Sequence, residues 1–93
     1  MIRNKRIKVI YKKLGRSRTW GLSHNEGVVE IDERAKGKKH LEVLVHECLH
    51  ELFPDMKEAE IESKAAILTR TLWHEKYRRI DDHDKEPLQD GEK

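Results

Sequence analysis

The sequence predicts an α+β fold: a small antiparallel sheet of about three strands packed against two main helices. Three observations carry this. The amino-terminal part alternates apolar and polar residues with period 2, a second apolar run follows a turn-like cluster, and two later segments repeat their apolar residues every three to four positions. From Arg6 to Tyr11, the residues Ile7, Val9 and Tyr11 fall on one side, as in a half-buried strand. The stretch LGRSR, with Gly15 and Ser17, interrupts it, and Thr19 to Ser23 extends again. His24-Asn25-Glu26-Gly27 then makes a turn into Val28, Val29 and Ile31, a strand joined to its predecessor in antiparallel fashion.

Residues 34–39, RAKGKK, form a basic connector. Beyond it Leu41, Leu44, Val45, Cys48, Leu49 and Leu52 mark one stripe of an amphipathic helix, which Phe53 and Pro54 end. Asp55 and Glu58 have the D-x-x-E spacing of a capping box, so a second helix is expected from about Met56 to Tyr77. Its seam is Ile61, Ala65, Leu68 and Leu72, with Ala66, Thr69 and Trp73 on the adjoining side. Residues 1–80 read as one domain and residues 81–93, DDHDKEPLQDGEK, as a charged flexible tail.

The chain has 93 residues, of which 35% are hydrophobic and 41% charged, so its core must be economical. Cys48 is the single cysteine, which leaves a metal, a partner chain or tight packing as the available staple and fits a reducing, cytoplasmic setting. No apolar run reaches the length of a membrane span, and the start MIRNKRIKVIYKKLG lacks the pattern of a signal peptide. Net charge is +2 but uneven: residues 1–40 hold 12 Lys/Arg against 4 Asp/Glu, and residues 41–93 hold 8 against 14. Such a division offers an electrostatic grip on nucleic acid or an acidic protein, although residues 1–18, with eight Lys/Arg, carry only Tyr11 as an aromatic and no helix-turn-helix signature.

Within the first helix, His46-Glu47-Cys48-Leu49-His50 matches H-E-x-x-H. Residues four apart on a helix differ by about 40° around its axis, so both imidazoles project together and can bind one ion, for which zinc suits imidazole nitrogen. Glu47 lies beside the pair, where its carboxylate can take a proton from a metal-bound water and pass it to a leaving amine. On a helical wheel the apolar residues lie opposite His46, Glu47 and His50.

The third ligand must come from elsewhere in the chain. Phe53 and Met56 stand where the metzincin pattern needs glycine and histidine, which excludes that subtype. Glu58, Glu60 and Glu62 compete. Glu58 has the capping-box task and Glu60 lies with Lys64 and Ile67 away from the seam, whereas Glu62 neighbours Ala65, Ala66 and Thr69, small residues that admit a close approach of the helices. Glu62 is favoured, with Glu58 as the alternative.

The run HECLHELFPDMKEAEIESKAA resembles the core of the gluzincin metallopeptidases, especially the minimal single-domain forms called minigluzincins, over roughly residues 19–77. It is also similar to phage and bacterial regulatory metallopeptidases that cut repressor proteins. Glu62-Ser63-Lys64-Ala65 is similar to the glutamate-ligand segment of several gluzincins, although Ala66 stands where many have Asp or Asn. The resemblance implies a zincin-like core, zinc held by His46, His50 and Glu62, Glu47 as general base and acid, and hydrolysis of a peptide or protein substrate. It further implies that the strand Gly27–Ile31 is an edge that pairs with extended substrate, whereas from the residues alone this segment reads as core.

Cys48 falls on the apolar arc and reads as a small buried hydrophobe. His74 or Tyr77 is a candidate hydrogen-bond donor to the oxyanion. Trp20 and Trp73 read as core or cleft-wall aromatics, and His83, among Asp81, Asp82 and Asp84, as a tail ligand able to cap the ion. The alternative function is a binding or regulatory module in which zinc staples an undersized core and a basic surface contacts nucleic acid or an acidic protein.

Overall fold

The computed structural model describes residues 6–15 and 19–80. Three strands, β1 (Lys8–Lys12), β2 (Gly21–Ser23) and β3 (Val28–Asp32), precede two helices, α1 (Gly37–Leu52) and α2 (Glu58–His74). The α+β class follows the hydrophobic periods as expected. The expected tail, with His83, lies outside the described residues.

The sheet is mixed, which corrects the antiparallel expectation. Its order is β1-β3-β2, with β3 parallel to β1 and antiparallel to β2. Period-2 alternation specifies which face of a strand is buried and leaves its neighbour open. Here the chain passes from β1 across to β2 and returns through His24–Gly27 to place β3 between them. Asn25 and Gly27 adopt φ of 58° and 79°, the left-handed conformation that asparagine and glycine accept most readily. The central position of β3 is matched by its burial, since Val29 and Ile31 are fully enclosed. Both of its edges are paired, so the segment Gly27–Ile31 is core and cannot be the edge that receives a substrate strand.

Asp32 at the end of β3 locks the sheet to its connections. Its buried carboxylate accepts the Leu14 amide at 3.1 Å, the Arg34 amide and Nε at 2.9 Å each, and Arg34 Nη2 at 2.8 Å. The Arg34 side chain, and then its amide, hold the Asp32 carboxyl far below the usual carboxylate range.

Helix α1 is the middle layer, with the sheet against one side and α2 against the other. Two small cores result. Ile31, Ala35 and Val43 join sheet to α1, with Val9, Tyr11 and Leu44 packed around them, and Leu49, Ile61 and Ala65 join α1 to α2, with Val45 and Met56. A helix enclosed on two sides buries two stripes and leaves two flanks, which rotates burial away from the single expected arc. Val43 is buried, whereas Leu52 is 54% exposed. On α2 the buried row is Ile61, Ala65 and Thr69, and Leu68, expected in the seam, is largely exposed.

The capping box is not formed. Pro54 to Met56 make a turn closed by the Met56 amide on the Phe53 carbonyl, 3.0 Å, and α2 starts at Glu58 after Lys57, which makes no side-chain cap. Glu58 therefore begins the helix instead of reaching back to Asp55. At the other end, the Tyr77 amide bonds to the Leu72 carbonyl and the Lys76 amide to the Trp73 carbonyl, 3.0 Å each, with Lys76 at φ 75°. This Schellman arrangement reverses the chain at the end of α2. Among the described residues no helix is long and apolar enough to cross a membrane.

Candidate metal centre and cleft

One flank of α1 lies open between β2 and α2, and His46 and His50 project from it one turn apart. Their ring centroids are 5.0 Å apart. Glu58, on the first turn of α2, faces both: Oε2 lies 3.1 Å from His46 Nε2 and Oε1 2.8 Å from His50 Nε2. Freed from capping, Glu58 is thus directed at the imidazoles by the sharp turn at Pro54. Both histidines are half-buried, while the Glu58 side chain is 57% exposed.

Glu62 is not part of this trio. It sits one turn further along the same face of α2 and lines a cleft of about 420 Å³ with His46, Glu47, Trp20, Ala65 and Ala66. A second cleft of about 380 Å³ continues past His46 to His50 and Glu58, bounded by Leu22, Ser23 and Pro54. The two share Thr19, Gly21, His46 and Glu47, so these four residues occupy the middle of one trough. Glu60 is exposed and lines neither cleft. Trp20 is a cleft-wall aromatic, as expected.

Glu47 lies beneath β2. A Cβ built on Gly21 would come within 2.8 Å of Glu47 Cγ and 2.7 Å of Val43 Cγ1, so glycine is what allows the strand to rest on the helix here. Burial raises the Glu47 carboxyl above its usual range, and the nearby Glu58 and Glu51 add to this, against the opposing pull of His46 and His50. A raised carboxylate is a better proton acceptor at neutral pH. Gly21→Ala is accordingly expected to destabilise the fold by about 1–3 kcal/mol through overpacking. It should also displace Glu47, which is checked by comparing melting temperature and activity with wild type.

β2 is the edge strand over the trough. Trp20 and His24 bond inward to β3, through the Trp20 carbonyl to the Asp32 amide at 2.8 Å and the His24 amide to the Val28 carbonyl at 3.1 Å. Antiparallel alternation turns the polar backbone groups of Gly21 and Ser23 outward. At Gly21 these are met by the Thr19 hydroxyl, which donates to the carbonyl at 2.9 Å and accepts from the amide at 3.4 Å.

The residue that fixes β2 over α1 is Glu51, which the sequence reading did not single out. It follows His50 directly and is 4% exposed. Its carboxylate accepts the Gly27 amide at 2.6 Å, the Ser23 hydroxyl and the Asn25 amide, so it binds the β2–β3 turn to the helix that carries both histidines. Burial alone would raise its carboxyl, but bonds from Ser23, Gly27, Asn25 and His24 outweigh this and hold it below the usual value. The available signal was a charged residue on the sheet-facing side of α1, next to a turn rich in amide donors.

His74 and Tyr77 do not face the trough. They line clefts with Lys38 and Arg70, and with Tyr11 and His40. The chain carries them past the end of the site, so they are not placed as the expected oxyanion donors. Cys48 is half-buried, and burial, then Glu51 and Glu47, raises its thiol, which disfavours the nucleophilic thiolate.

The donor set suits zinc in type and reach. Two imidazole nitrogens and a carboxylate oxygen lie within 4.8 Å of one another. Bonds of about 2.0–2.2 Å in a tetrahedron place donors about 3.4 Å apart, a separation of the same order as in this group. Comparison of the chain with protein-family profiles, curated proteins and solved structures finds no match.

Proposed function

We propose that this chain is a zinc-dependent metallopeptidase of gluzincin type. The reading is supported above all by the convergence of His46, His50 and an α2 carboxylate beside a half-buried Glu47 in a trough under an edge strand. His46 and His50 are the imidazole ligands. The third ligand comes from the inner face of α2 that carries Glu58 and Glu62 one turn apart: Glu58 is in contact with both imidazoles, and Glu62 is the residue the family resemblance favours.

Zinc held there would polarise a substrate carbonyl and lower the pKa of a water ligand. Glu47 accepts the proton of the attacking water and delivers it to the leaving amine. Its stem packs closely under Gly21 of β2, which limits its reorientation between the two transfers. The outward backbone groups of Gly21 and Ser23 suit an extended peptide, which would replace the Thr19 hydroxyl at Gly21. Backbone pairing of this kind is indifferent to side chains, which suits a small domain acting on an unfolded or extended segment.

The test is incubation of the purified chain with an unfolded protein and identification of fragments by mass spectrometry, before and after removal of metal by a chelator. Cleavage that disappears on chelation and returns with added zinc is expected. Absence of cleavage, or cleavage that survives both chelation and His46→Ala, would overturn the proposal.

A further inference from the structure

The flank of α1 opposite His46 carries a different chemistry. There His40, Leu41 and Leu44 meet Tyr11, Trp73 and Tyr77 around a cleft of about 310 Å³. The Schellman turn at Lys76 folds Arg78 and Arg79 back onto the rings: the Arg78 guanidinium lies 3.4 Å from the Trp73 ring centre and that of Arg79 4.4 Å from Tyr11. Arg78 Nη1 also donates to the Trp73 carbonyl at 2.8 Å. Trp73 borders a second, shallower groove of about 540 Å³ with Lys38 and Arg70. Among the described residues, Glu75 is the only acidic one that lines either cleft. Among the described residues Lys38, Arg70, Arg78 and Arg79 make no ion pair with a carboxylate. The positive field reaches inward: after burial, Arg79 and Lys36 lower the pKa of His40, whose Nε2 lies 2.8 Å from the Tyr11 hydroxyl.

We propose that this face binds single-stranded nucleic acid, with Lys38, Arg70, Arg78 and Arg79 on the phosphates and unpaired bases against Trp73 and Tyr77. Stacking on aromatic rings holds the Arg78 and Arg79 guanidinia in place, so less side-chain freedom is lost when their remaining donors meet phosphate. An acidic peptide would satisfy the cations but leave the aromatic walls unused, and Tyr77 is 64% exposed. Bases provide a flat partner for such rings in any sequence, which is the usual basis of single-strand binding. None of these residues lines the trough at His46, so the inference does not depend on the peptidase proposal.

The test is fluorescence anisotropy of a labelled oligo-dT strand of about 12 nucleotides, titrated with the full chain at several salt concentrations. The expected result is binding whose log–log salt slope is about −3, the value for four contacted phosphates on a single strand. Combined substitution R70A/R78A/R79A should weaken binding at least about tenfold and reduce the slope by about 2. Lys57→Ala, at the far end of α2, should change neither. Trp73 and Trp20 are the two tryptophans, so in a Trp20→Phe chain the quenching of Trp73 emission reports stacking directly. No binding at low salt, an unaffected triple variant, absent quenching, or equally tight binding of duplex DNA or poly-glutamate would overturn the proposal.

Discussion

Glu47→Gln is expected to leave zinc in place and reduce peptide hydrolysis by about 10²–10⁴-fold. The amide has the size of the carboxylate, so the close packing of Glu47 under Gly21 of β2 is preserved, and Glu47 is not one of the cluster His46, His50 and Glu58. What disappears is the ability to accept a proton. Metal content and melting temperature should therefore match wild type while turnover collapses. Undiminished cleavage by this variant would remove Glu47 from the mechanism, and loss of metal would show that it is a ligand instead.

The second large effect is expected at Glu51. Glu51→Ala leaves the Gly27 and Asn25 amides and the Ser23 hydroxyl without their acceptor, at a cost of about 3–5 kcal/mol, in line with removal of one partner from a buried charged network. For a domain of this size that corresponds to a fall in melting temperature of about 12 °C or more. Activity should fall too, since β2 would no longer be fixed above Glu47. The pH dependence has a definite sign. The folded-state pKa of Glu51 is depressed, so its stabilisation is present above the ordinary value of 4.5 and is lost as pH falls through the lower folded-state value. Asp32, also depressed, acts in the same direction. Thermal melts of wild type should therefore show stability declining below about pH 5, and Glu51→Gln should flatten part of that decline. Identical pH profiles for the two proteins would contradict the assigned role of the carboxylate.

Local patterns in the sequence carried the elements and the end of α1, but not the bounds of α2, expected from about Met56 to Tyr77 and found at Glu58–His74. Val9 and Tyr11 pack inward as their alternation requires, the turn at His24–Gly27 joins an antiparallel pair, and Phe53–Pro54 stops α1. Spacing alone also brought His46 and His50 together, because helix geometry fixes that relation without any tertiary information. What depended on tertiary arrangement was less visible. The parallel pairing of β1 with β3 and the edge position of β2 follow from the path of the chain between strands, which alternation does not encode. Helix α1 has two covered sides, so Val43 is buried and Leu52 is not, and a single-stripe wheel cannot express this.

The α2 glutamates show the same limit. Glu58 matched a local capping pattern, yet the turn at Pro54–Met56 moved the helix start to Glu58 itself and released its side chain toward the histidines. Glu62 does reach the trough, as the small residues Ala65 and Ala66 suggested, but as part of its wall. Glu51 was hidden because, Ser23 apart, its partners are backbone amides, which any sequence possesses. The Trp73 face was hidden for a related reason: Arg78 and Arg79 come from beyond α2 and reach the rings only through the reversal at Lys76.

The central claim is tested most directly by zinc analysis of the purified full chain after exhaustive dialysis, wild type beside His46→Ala, His50→Ala, Glu58→Ala and Glu62→Ala. Wild type should retain stoichiometric zinc, both histidine variants should lose it, and one of the two glutamate variants should lose it as well, which assigns the third ligand. A wild-type protein without zinc affinity, or histidine variants that keep the metal, would contradict the account.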